Sequence, residues 1–208
     1  MTKKLLSLCC NLFVFAATTL CVLGFFIRGG VGNMQAVGAK AFIYFTVDSN
    51  VLCALACLGM AVWELPHLRR RDAEIPRWLN VFKFVGTVAV SLTFCTVMLF
   101  LGQLYGYGPM LAGRNLYLHL LCPLAAIISF AALERTGPAP LWPCLLGLLP
   151  VVVYGAVYFT CVILLKRWND FYGFNRGGRW PLSLVLMVLA TLILCVLLWT
   201  ANHRRHRR

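Results

Sequence analysis

Thr46 and His119 are the residue types that could do chemistry together: a hydroxyl and an imidazole are the minimal parts of a nucleophile and its base. Around them stand other polar side chains in segments that are otherwise apolar. Thr46, Asp48, Ser49 and Asn50 fall within five residues, and Arg114, Asn115 and His119 precede Pro123. On a helix Thr46, Ser49 and Asn50 stand at i, i+3 and i+4 and share one face, as do Asn115 and His119. Asp48 points elsewhere, toward a third helix or Arg114. Pro123 cannot donate to the carbonyl of His119, so it frees an acceptor and kinks that helix.

The elements that must position these groups are membrane helices. Of the 208 residues 61% are hydrophobic and 12% charged, with a mean hydropathy of +0.82. Soluble domains carry roughly 25% charged residues. Six runs are long enough to cross a bilayer: Leu5–Ile27, Ala41–Trp63, Leu79–Leu104, Ala112–Leu133, Leu141–Leu165 and Trp180–Ala201. The expected fold is all-α, a single six-span bundle over residues 1–208 with both termini cytoplasmic. Lys3 and Lys4 precede the first run, but its length and the lack of an Ala-x-Ala-like site make it a retained helix, not a signal peptide.

A net charge of +13 suggests nucleic acid, yet its location speaks for topology instead. Twelve of the 19 basic residues fall on the inner side in this arrangement, including Arg69, Arg70, Arg71, Arg77 and the tail Arg204, Arg205, Arg207, Arg208. The clusters Arg69–Arg71 and Arg204–Arg208 would attract anionic lipid head groups. Lys83 and Arg114 are expected to snorkel to the surface. All ten cysteines fall within spans without a Cys-x-x-Cys pair, so neither a disulfide framework nor a zinc site is implied. His119, Cys122 and Asp48 lack metal-ligand spacing, and nothing in the sequence calls for a cofactor.

Depth brings the two polar segments together. If the second and fourth spans both start at the outer surface, Thr46 lies roughly 8 Å deep and His119 roughly 10 Å, at 1.5 Å per residue. Ionisable groups there are costly and default to a functional hypothesis. Simpler roles stay open: Ser and Asn as glue between helices, and His119 as a packed core residue. The loop Lys166–Arg179 is dense in aromatics (Trp168, Phe171, Tyr172, Phe174) and should lie in the interface or cap the bundle.

Tyr44-Phe45-Thr46-Val47-Asp48-Ser49-Asn50, with Asn115-Leu-Tyr-Leu-His119-Leu-Leu-Cys-Pro123 two spans later, resembles the androgen-induced and androgen-dependent TFPI-regulating protein family. The likeness is greatest to that family's bacterial six-span relatives. It implies a membrane threonine hydrolase of lipid (fatty acyl) esters in the bacterial plasma membrane, with Thr46 as nucleophile and His119 as base. Eukaryotic members carry an acidic residue three after the Thr, where this chain has Ser49. Asn50, Ser49 and Asn115 are candidate oxyanion donors, and a carboxylate or carbonyl should orient His119. The competing expectation is a binder or carrier of a lipid or small solute without chemistry.

Overall fold

A computed structural model describes residues 2–27, 37–70, 73–137 and 139–203. Arg28, Gly29, Gly30, Gly32, Arg71 and the tail Arg204–Arg208 lie outside the described residues. The described chain is all-helical in class, with no strand among the described residues and six helices long and apolar enough to cross a membrane. They are α1 (Thr2–Leu23), α2 (Phe45–His67), α3 (Arg77–Tyr105), α4 (Arg114–Leu133), α5 (Pro143–Leu164) and α6 (Trp180–Asn202). This is a multi-pass membrane protein.

Prolines punctuate the helices where the sequence puts them. Pro76 caps α3, and Pro143 and Pro181 lie in the first turns of α5 and α6, where a missing N–H costs nothing. Pro123 lies inside α4, and the turn before it, Tyr117–Leu121, widens to π-type. Proline returns no hydrogen bond to the His119 carbonyl, and a π turn accommodates such a break.

The start of α1 and the end of α6 share one face of the bundle, here the terminal face. The Lys4 ammonium donates to the carbonyls of His67 and Arg70 between α2 and α3. Thr136, between α4 and α5, donates to Asn202 Oδ1 at 3.0 Å. The starts of α2, α4 and α6 therefore gather at the opposite, distal face.

α2 and α3 form the core. Over their most apolar windows 56% and 61% of residues are buried, against 17% and 22% in α5 and α6, so the last two helices are left for lipid to cover. Gly86 permits the tight α2–α3 contact, since a Cβ there would come within 2.8 Å of Cys53 Cα. On the terminal side Phe84 packs on Trp199 and Phe130, with ring centroids 4.9 and 5.8 Å apart, tying α3 to α6 and α4. All ten cysteines are free thiols.

One boundary differs from the sequence reading in a way that matters. The second span was expected from Ala41, but residues Gly38–Ile43 form a 3₁₀ turn, Tyr44 is extended, and α2 starts at Phe45. Side chains from elsewhere set this break. The Phe45 amide donates to the Tyr172 hydroxyl at 2.9 Å, and the Tyr154 hydroxyl donates to the Ile43 carbonyl at 2.7 Å. Thr46 thus belongs to the first turn of α2, higher along its own helix than expected.

Candidate functional site

The aromatic loop between α5 and α6 folds back onto the bundle. Asp170 organises it: its carboxylate accepts from the Tyr158 hydroxyl at 2.7 Å and from the amides of Phe174 and Asn175 at 2.9 and 2.8 Å. This presses Tyr172 inward until only 8% of it is exposed, among Tyr158, Phe171 and Phe174. Burial pushes the Tyr172 phenol up to about 12, against the opposing hydrogen bonds of Tyr154, Phe45 and Thr46. It stays a neutral hydroxyl at physiological pH, standing beside that of Thr46.

Under this cap lies a cavity of about 850 Å³, counted to its open mouth, between α2, α3, α5 and α6. The space enclosed within it is about 90 Å³. Val151, Phe159, Ile163, Leu184 and Met187 make its walls apolar, while Thr46, Thr93 and Ser183 contribute hydroxyls. Because α5 and α6 are the least enclosed helices, the chamber lies on the lipid side of the bundle.

His119 comes from the neighbouring helix and is only 7% exposed. Its Nδ1–H donates to the Met110 carbonyl at 2.6 Å. Asn115, one turn earlier on the same face, donates to the Pro109 carbonyl at 3.1 Å. The loop between α3 and α4 reverses at Gly106 and Gly113, both with positive φ (88° and 56°), which brings these carbonyls over α4. The carbonyl that orients His119 is therefore backbone. In the neutral ring it keeps the proton on Nδ1 and leaves Nε2 bare, the arrangement a general base needs.

Asn50 joins the two segments. Its amide donates to the Thr46 carbonyl at 2.8 Å and to the Leu118 carbonyl, next to His119, at 2.9 Å. Asn50 is fully buried and its Oδ1 has no partner among the described residues. Ser49 donates to the same Thr46 carbonyl at 3.2 Å and lies 2.9 Å from the Thr93 hydroxyl. Asn50, Ser49 and Asn115 thus hold backbone carbonyls in this structure. Asp48 is half-buried and receives no hydrogen bond from the described residues. No hydrogen bond joins Thr46 to His119 among the described residues, and His119 is not one of the cavity walls. Arg114 lays its guanidinium over the Phe25 ring at 4.4 Å.

A second polar centre near the terminal face was not foreseen. Lys83 does not snorkel: it is fully buried, with Nζ 3.7 Å from Glu134 Oε1. It also donates to Cys57 Sγ at 2.8 Å and to Asn11 Oδ1. The Asn11 amide reaches Glu134 Oε1 at 2.8 Å and Glu64 Oε2 at 3.1 Å, and the Ser7 hydroxyl reaches Glu134 Oε1 at 3.1 Å. The available signal was Asn11 and Lys83 lying inside spans with carboxylates at two span ends. Among the described residues no group of three or more His, Cys, Asp and Glu side chains could hold a metal ion.

Compared with family models, curated proteins and solved structures, the chain matches none of them.

Proposed function

We propose that this protein is an intramembrane hydrolase of fatty acyl esters, resident in a plasma membrane with both termini cytoplasmic. The observation that carries the reading is the placement of Thr46: its hydroxyl lines an apolar chamber of acyl-chain character, at the level where Asn50 ties α2 to the His119 segment. An acyl chain arriving from the lipid side between α5 and α6 would lay its ester carbonyl against Thr46. Thr46 Oγ1 attacks, and His119 Nε2 takes the proton and returns it to the leaving alcohol. Water, activated by the same base, then cleaves the acyl-threonine. Met110 supports this role for His119 by fixing its tautomer. The resting side chains are not hydrogen-bonded to each other; such contacts are often long in the free enzyme and tighten with substrate. With Ser49 and Asn50 committed to the Thr46 carbonyl, Tyr172 is the better-placed oxyanion donor. Its oxygen accepts from the Phe45 amide, and its own proton remains to give.

The test is turnover of a long-chain fatty acid ester by the full chain in lipid vesicles. Thr46→Ala abolishes it, and His119→Ala lowers it by about 10²–10⁴-fold, the usual contribution of a general base. Undiminished turnover in both variants ends the proposal.

A second reading, lipid binding without chemistry, is favoured by one observation: His119 is engaged with a loop carbonyl and lies outside the cavity walls. Retention of intact ester in the chamber with no product would select it.

A further inference from the structure

We propose that the Glu64–Glu134–Lys83 cluster is a proton-binding site, in which Glu64 holds the proton and donates a hydrogen bond with it to ionised Glu134. The charge count leads there. Two carboxyls and one ammonium converge where Glu64 is 3%, Glu134 2% and Lys83 0% exposed. With all three ionised the cluster carries a net negative charge in a dry interior, where an uncompensated charge neutralises itself by taking up a proton.

Geometry assigns the partners. Lys83 pairs with Glu134, which marks Glu134 as the ionised member. The Asn11 amide holds one oxygen of each carboxyl within 3.1 Å of its nitrogen, so the two acids are neighbours across α1. Independently, Glu134 Oε2 is buried without a hydrogen-bond partner among the described residues. An orphaned carboxylate oxygen is expensive, and a proton on Glu64 supplies the donor it lacks.

Lys4 and Arg135 do not alter the count, and a charge on the Cys57 thiol that Lys83 reaches would only make it more negative. Lys4 is turned to the carbonyls of His67 and Arg70, and Arg135 Nε donates to the Ala131 carbonyl at 3.2 Å. His67 stacks on Trp63 and bonds its carbonyl, while Cys10, Cys53 and Cys57 are the thiols nearby. Glu64 stands three residues before the end of α2, so the proton exchanges with water at the terminal face. Loss of that proton sets two like charges against each other at the junction of α1, α2, α3 and α4.

Dicyclohexylcarbodiimide, which modifies protonated carboxyls in apolar surroundings, tests this on the full chain in lipid vesicles. Peptide mass analysis should place the adduct on Glu64, decreasing as pH rises and absent from Glu64→Gln. Infrared titration of the unmodified protein provides a second readout: a protonated-carboxyl band that Glu64→Gln removes. No adduct on Glu64 at any pH where the protein stays folded overturns the proposal. So does protection by sodium at fixed pH, which would make this a cation site, or a wild-type spectrum without the band. None of these outcomes depends on ester hydrolysis.

Discussion

The two ends of the bundle treat polar groups in opposite ways. Near the terminal face Ser7, Asn11, Glu64, Lys83 and Glu134 are spent on one another, closing a network across four helices. Near the distal face Thr46, Thr93 and Ser183 lie along an apolar chamber between the most and the least enclosed helices of the bundle, with the Thr93 and Ser183 hydroxyls bonded to Ser49 and to the Phe174 carbonyl. A network of buried partners fixes packing, whereas an apolar volume beside a residue such as Thr46 is what a ligand can use. Thr46 and Glu64 stand 18 residues apart on α2, roughly 27 Å at 1.5 Å per residue, so substitutions at the two ends should sort accordingly.

The sharpest break comes from Lys83→Met. It leaves two buried carboxyls without their cation, and removing one partner of a buried pair costs about 3–5 kcal/mol. Thermal unfolding in detergent should drop markedly, while Thr46→Ala, at a half-buried position, stays within about 1 kcal/mol of wild type. Equal destabilisation by both would erase the division. Asn11→Ala comes next, at about 1–3 kcal/mol, because one amide serves both acids.

Asn50→Ala probes the seam between the two motif segments. It frees the carbonyls of Thr46 and Leu118, so we expect about 1–3 kcal/mol of destabilisation together with reduced ester turnover. A loss of stability with full activity would show that the α2–α4 register does not matter to the chamber.

The smallest effect is a pH dependence at the cap. Tyr172 is held up to about 12, so the folded chain keeps a proton that the unfolded chain releases near pH 10. Its contribution is complete below about pH 10 and disappears as pH rises toward 12. Alkaline unfolding should therefore be shallower in Tyr172→Phe than in wild type across that window.

The six helices were legible because hydrocarbon demands long apolar runs, and Pro123 marked the freed carbonyl of His119, though not the π form of the turn before it. Three features were not. The start of α2 is fixed by Tyr172 and Tyr154, 127 and 111 residues away from their partners, a distance no local pattern reports. The group that orients His119 is the carbonyl of Met110, and a backbone carbonyl has no signature in sequence. Lys83 reads singly as a snorkelling residue, and nothing in the sequence links it to Glu64 or Asn11; only the fold brings them together. The motif segments, by contrast, meet through Asn50, the polar residue that shares a helical face with Thr46.

The most direct experiment is to treat the full chain in lipid vesicles with a fluorophosphonate and locate the adduct by peptide mass. Modification of Thr46, lost in Thr46→Ala and strongly diminished in His119→Ala, is the expected result. Ester hydrolysis that continues with the probe attached elsewhere, or with Thr46 unmodified, would contradict a threonine nucleophile in this chamber.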